Sequence, residues 1–309
     1  MESILSLNQV TKKYGQQYAL DQVSLTIQKG AVYGLIGRNG AGKTTLLKAI
    51  TRLISTTSGT VSLLGSKTDS EWIKALRRTG SVIETPVAYD QLTAKENLEY
   101  YCKLRGIVDR GTVIQETLEL VDLTDTDNKK FKDFSLGMKQ KLGIAIAILS
   151  KPDLLILDEP INGLDPIAIA AFRHLIKRLN EEYGMTIIIS SHILSELYQV
   201  ATCFGIINNG VLIKEIAKTD FDQLSEDYIV LKTSETPQAS ALLKENFSFK
   251  MKIINQTELH LFERSHQINE ITRLLVTNNI SIDGIYYQKQ DLENYFTNLI
   301  DDTEDITHD

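Results

Sequence analysis

Three observations predict an α/β fold followed by a smaller α+β unit. A strand-like run over residues 32–36 leads straight into a glycine-rich loop and then into an amphipathic helical pattern. Two more apolar runs, 154–157 and 186–189, end abruptly in polar residues, with a helical pattern between them. Strands alternating with helices, with polar residues at the strand ends, suggest an α/β domain with its site at those ends. Near Asp220 the order changes to β-α-β-β-α-β, a ferredoxin-like split unit.

Residues 5–10 and 23–27 read as half-buried strands, and 32–36 as a third. Leu46, Leu47, Ile50, Leu53 and Ile54 then recur at helical spacing, so the segment is strand, loop, helix. A short strand is expected at 61–64. From about 83 to 150 the pattern is mainly helical, and Thr93 followed by Glu96 forms a capping box that opens one helix. Phe172, Leu175, Ile176 and Leu179 mark another. Asn209-Gly210 between 206–207 and 211–213 signals a hairpin turn. The C-terminal order is strand 228–233, helix 237–245, strands 249–254 and 257–262, helix 266–278 and strand 282–287. A last helix carries Leu292, Tyr295, Phe296 and Leu299 on one face. The expected division is therefore 1–220, with a helical part at about 84–150, then 221–300, then a tail 301–309. That tail holds five acids and little that could pack, so disorder is expected there.

Composition narrows the possibilities. Hydrophobic residues make up 42%, enough for an ordinary core, and the net charge of −7 gives no whole-protein attraction to nucleic acid. Cys102 and Cys203 fit neither a disulfide framework nor a zinc cluster and read as small hydrophobes. No leader sequence is visible, and no apolar stretch approaches the roughly 18 residues of a spanning helix. A cytoplasmic chain is expected, one that works at a membrane only by docking on another chain.

Gly37, Arg38, Asn39, Gly40, Ala41, Gly42, Lys43 and Thr44, continuing into Thr45, match the phosphate-loop pattern in full. The glycines let the backbone wrap a polyphosphate, and the following helix adds its positive end. Lys43 is placed to reach the β- and γ-phosphates of ATP, and Thr44 to offer its hydroxyl to Mg²⁺. The buried run 154–157 delivers Asp158 to a strand end, where it can hold Mg²⁺. Glu159 is the candidate general base for an attacking water.

The segment Phe134, Ser135, Leu136, Gly137, Met138, Lys139, Gln140 narrows the reading. A Ser-x-Gly segment opening a helix, the carboxylate strand, Gly163-Leu164-Asp165 and Ser191-His192 follow the phosphate loop in order. Residues 1 to about 220 therefore closely resemble the ATP-binding subunits of ABC transporters. The resemblance implies a P-loop ATPase domain with a mixed core sheet, an antiparallel β subdomain and a helical subdomain. It also implies a head-to-tail homodimer that sandwiches two ATPs and couples their hydrolysis to a membrane permease. On that footing Ser135 and Gly137 contact the γ-phosphate held by the opposite copy, and Asp165 crosses the dimer seam. Tyr14 stacks on adenine, and His192 senses the γ-phosphate.

Two departures from the family pattern stand out. Leu136 and Met138 replace a glycine and a glutamine of the usual Leu-Ser-Gly-Gly-Gln. Glu84 occupies a position that normally carries glutamine; its carboxylate can bind Mg²⁺ through oxygen but cannot donate as an amide does. Glu84 in its Val-Ile-Glu-Thr-Pro context, with the 92–98 and 135–140 segments, resembles the bacitracin-resistance and lantibiotic-immunity ATPases, peptide-antibiotic exporters of Gram-positive bacteria. Export of another drug, a lipid or an ion stays open, because the permease selects the substrate. A soluble ABC ATPase acting on ribosomes or DNA lacks support: neither a second cassette nor a coiled-coil insertion is present. A nucleotide switch without turnover conflicts with Lys43, Asp158, Glu159 and His192 all being in place. The C-terminal region is expected to regulate, dimerise or buttress the ATPase, and His260 and His266 read as ordinary surface residues.

Overall fold

The computed structural model describes residues 2–126, 128–224, 228–262 and 268–288. The chain divides into two compact units between Lys218 and Thr219. The first is built on two sheets. Strands β1 (Ser3–Tyr14), β2 (Gln17–Gln28) and β4 (Ser58–Leu63) form an antiparallel sheet in the order β2-β1-β4. A six-stranded sheet runs β5-β6-β7-β3-β8-β9, from β3 (Val32–Ile36), β5 (Thr79–Val82), β6 (Leu154–Asp158), β7 (Thr186–Ser191), β8 (Cys203–Asn208) and β9 (Val211–Ala217). All its neighbours are parallel except β8 and β9. Those two are joined at Asn209-Gly210, where both residues have positive φ, as a tight hairpin turn requires.

Helix α1 (Lys43–Ile50) is buried through Leu46, Leu47, Ala49 and Ile50. These pack in one core with Leu5, Val10, Leu20 and Ile27 of the antiparallel sheet and Leu35, Ile156 and Ile207 of the larger one. The helix after the phosphate loop thus joins the two sheets. Helix α2 (Asp69–Arg77) has no counterpart among the expected elements; only Trp72 and Ala75 are buried, too few for a legible period. The helical stretch contains α3 (Ala94–Arg105), α4 (Arg110–Leu120) and α5 (Leu136–Ile148). The Thr93–Glu96 capping box is formed in both directions. α5 buries every residue from Leu142 to Ile148, which explains its unbroken apolar run without a membrane. Among the described residues no helix is long and apolar enough to cross a membrane. Helices α6 (Pro166–Glu181) and α7 (Leu194–Tyr198) follow β6 and β7. Cys102 is buried and Cys203 partly so, both as free thiols.

Helix α8 (Lys218–Leu224) starts at the division. In the second unit β10 (Tyr228–Lys232), α9 (Thr236–Asn246), β11 (Lys250–Asn255), β12 (Glu258–Phe262), α10 (Ile268–Thr277) and β13 (Gly284–Gln288) follow one another. The sheet order is β11-β12-β10-β13, with every neighbour antiparallel. Ala239 and Leu243 of α9 and Ile271 and Leu275 of α10 cover Ile229, Leu231, Leu259 and Leu261. His260 departs from an ordinary surface residue: its ring stacks on Tyr228 at 4.2 Å, and Nε2 lies 2.8 Å from Glu258 Oε1. The helix expected around Leu292–Leu299, the acidic tail and His266 lie outside the described residues.

Candidate functional site

Parallel pairing brings the ends of β6, β7 and β3 to one edge. Asp158 on β6 is level with Ser190 on β7, and Ser191 is level with Ile36 on β3. The phosphate loop leaves β3 at that edge. A Cβ on Gly37 would lie 2.5 Å from the Ile207 carbonyl, so glycine is required for space. Gly42 has φ +108 and a Cβ there would meet the Ala19 carbonyl at 2.7 Å, so both shape and space demand glycine. Gly42 is also the N-cap of α1 and provides no side-chain cap. The first N–H groups of α1 are therefore available for an anion, and the helix dipole favours one.

Lys43 is 5% exposed and its ammonium donates to Gly37 O at 2.7 Å and Arg38 O at 3.2 Å. It also sits 3.0 Å from Glu159 Oε1. That contact is an ion pair without hydrogen-bond alignment, since Oε1 accepts no hydrogen bond. Glu159 Oε2 lies 2.9 Å from His192 Nδ1. The Glu159 backbone is left-handed, φ +46, a strained conformation for this residue type. Beside it, Thr44 Oγ1 donates to Asp158 Oδ2 at 2.8 Å, and Ser190 Oγ donates to Asp158 Oδ1 at 2.6 Å. The same Ser190 oxygen accepts from Glu159 N at 2.9 Å. Lys43, Thr44, Asp158, Glu159 and His192 are thus one hydrogen-bonded and ion-paired group, with Ser190 at its hub.

A cavity of about 380 Å³ adjoins this group, lined by Tyr14, Asn39, Gly40, Gly42, Lys43, Thr44, Thr45 and Glu159. Gln17, Tyr18 and Ala19 line it too. They had no signal of their own in the sequence; the hairpin register, Tyr14 level with Gln17, brings them in. Tyr14 is half exposed, with Lys12 Nζ 5.0 Å from its ring centre. Ser190 was also hidden, because nothing in an apolar run ending in serines says which strand it will face.

Three sequence candidates stand apart from the cavity. Ser135 is the N-cap of α5, accepting from Met138 N at 3.3 Å, and Asp165 is the N-cap of α6, accepting from Ala168 N at 2.9 Å. Gly137 lies against Ala168, so the two helix starts are side by side, with Ser135 and Asp165 exposed. None of the three lines the cavity. Glu84 follows β5 and its carboxylate is held by Lys48 Nζ of α1 at 2.5 Å. Two residues on, Pro86 fills the space that Gly143 of α5 leaves: a Cβ there would be 2.7 Å from Pro86 Cβ.

Thr44 and Asp158 offer two adjacent oxygens, and among the described residues no group of three or more His, Cys, Asp or Glu could hold a metal. This donor set suits a small hard cation that takes its remaining ligands from water and phosphate, as Mg²⁺ does.

A family model described as ABC transporter matches residues 20–162. The Bacillus subtilis "Uncharacterized ABC transporter ATP-binding protein YcbN" is 42% identical over 97% of this chain and 98% of its own length. The chain belongs to the ABC transporter ATP-binding proteins. Its nucleotide is ATP and its activity is ATP hydrolysis. The Enterococcus faecalis "Bacitracin transport ATP-binding protein BcrA" is 39% identical over 97% of each of the two chains. Among solved structures, the dimeric post-hydrolysis state of the ATP-binding cassette MJ0796, bound to ADP and Pi, is 28% identical with a TM-score of 0.62. It covers 69% of this ABC protein and 98% of the cassette. The match confirms the ABC ATPase fold expected from the motifs.

Proposed function

We propose that this chain is the ATPase subunit of an exporter for a peptide antibiotic of the bacitracin or lantibiotic type. It works as a head-to-tail pair of copies on a membrane permease, at the cytoplasmic face of the membrane. The observation that carries the catalytic reading is the Glu159 carboxylate, held between Lys43 and His192 beside the Thr44–Asp158 pair. In this reading Glu159 takes the proton of the attacking water, and His192 holds the carboxylate and meets the γ-phosphate. Lys43 offsets charge on the β- and γ-phosphates, and Gly37, Arg38, Asn39, Gly40, Ala41, Gly42 and Thr45 wrap the phosphates with backbone N–H groups. Tyr14 stacks on adenine. Thr44, Asp158 and Glu84 would hold Mg²⁺, which supplies further neutralisation of phosphate charge.

Dimerisation is supported by Ser135, Gly137 and Asp165, which lie outside the cavity of their own chain. A second copy is needed to bring them to a nucleotide. Docking on a permease is supported by an exposed apolar surface after Glu84. Val87 is 73% and Leu104 69% exposed, with Tyr89 and Tyr100 packed edge to face at 4.7 Å beside them. The peptide-antibiotic assignment rests on the likeness to the bacitracin transport protein over nearly the whole chain. In E159Q, turnover is expected to vanish while ATP still binds. Full turnover in that variant rules out Glu159 as the base.

A further inference from the structure

We infer that Lys48 is a positioning residue that competes with the bound divalent cation for the carboxylate of Glu84. The inference rests on the proposal above that Glu84 belongs to the cation site. The backbone delivers Glu84 to the right place. β5 runs parallel to β6 with Val82 level with Leu157, so the chain leaving β5 passes beside Asp158. Yet the Glu84 carboxylate turns to α1 and takes Lys48 Nζ. Thr44 and Lys48 are four apart on that helix, so they share a face about 6 Å apart along its axis. The carboxylate is therefore held on the same face of α1 as the Thr44 hydroxyl, which pairs with Asp158. Glu84 has φ +65, a left-handed backbone that is strained for a non-glycine residue. The Glu84 side chain is 61% exposed, and the ion pair with Lys48 is the polar contact that holds its carboxylate there. A glutamine at position 84 would lack the charge that Lys48 holds, so this restraint follows from having a carboxylate there.

The test is the affinity of the full-length protein for Mn²⁺ in the presence of ADP, read by the electron paramagnetic resonance of free Mn²⁺. K48M should tighten Mn²⁺ binding about two- to five-fold, the range an exposed ion pair supports. K48R keeps the pair and should stay at the wild-type value. Removing any nearby positive charge attracts a cation, so the cycle with E84Q decides. The gain from K48M must be smaller in the E84Q background than in the wild type; an equal gain in both backgrounds, or no gain in K48M, overturns the inference. The underlying assignment is read separately, from E84Q added to K48M. If that addition leaves Mn²⁺ affinity unchanged, Glu84 does not face the cation and both readings fall. If it weakens binding while K48M alone has no effect, only the role of Lys48 falls.

Discussion

Replacing Ser190 by alanine removes one oxygen atom that makes two hydrogen bonds. The donated bond runs to a carboxylate, Asp158 Oδ1, at 2.6 Å, and the accepted bond satisfies the Glu159 N–H at 2.9 Å. A hydrogen bond to a charged group contributes about 1.5–3 kcal/mol, and an orphaned buried donor costs about 1–3 kcal/mol. Ser190 is fully buried, so water has no ready path to replace the hydroxyl. The two effects share one atom, and about 3 kcal/mol of destabilisation is expected rather than their full sum. For a unit of this size that lowers Tm by about 6–12 °C. Catalysis should suffer more than binding. The Glu159 backbone is held left-handed partly by this bond, and releasing it lets the carboxylate drift from Lys43 and His192. Turnover should fall about ten-fold or more, since a misplaced base loses much of its contribution. ADP affinity without metal should hold, because Ser190 does not line the nucleotide cavity. S190T restores the hydroxyl and should recover turnover. Calorimetry and steady-state ATPase assays measure both arms. S190A within about 0.5 kcal/mol of wild type and with wild-type turnover would refute the hub role of this serine.

Gly37→Ala drives a methyl to 2.5 Å from a backbone carbonyl. It should abolish nucleotide binding by calorimetric titration and cost about 1–3 kcal/mol in denaturant unfolding. Asn97 is fully buried, accepts from Tyr89 N at 2.7 Å and donates to Thr93 O at 2.9 Å. Asn97→Ala should cost about 2–4 kcal/mol and expose the segment 87–93 to protease. Arg78 grips Asp153 through Nε at 2.7 Å and Nη2 at 2.8 Å, holding the Asp153 carboxyl below the usual carboxylate range. A depressed folded pKa contributes stability that is complete above about pH 4 and is lost as pH falls through the folded value. Arg78→Ala should therefore flatten the acid limb of the stability profile; an unchanged limb would show that the pair contributes nothing.

Local chemistry was legible where a short window carries the whole cause. The loop from Gly37 to Thr44 needs glycines at set places, and Asn209-Gly210 needs two positive φ values; both follow from a few consecutive residues. The run ending in Asp158 announced a buried strand with a carboxylate at its tip, and the β-α-β-β-α-β order was readable from alternation and helical period. Helix α2 escaped because a helix burying two residues leaves almost no period, though Thr68 and Glu71 form a capping box at its start.

Contacts between distant residues belonged to the tertiary structure alone. Thr44 and Asp158 are 114 residues apart and meet because β7 lies between β3 and β6, parallel to both, and brings their ends to one edge. Ser190 became the hub of the site only through its register with Asp158. Glu84 was readable as a carboxylate near the site, but its hold on Lys48 depends on where α1 and the end of β5 come to lie. The sequence by itself determined where the phosphate-loop pattern lies, because that pattern is written in consecutive residues. The tertiary structure decided which of those groups touch, because strand order and register are settled by packing across the whole core.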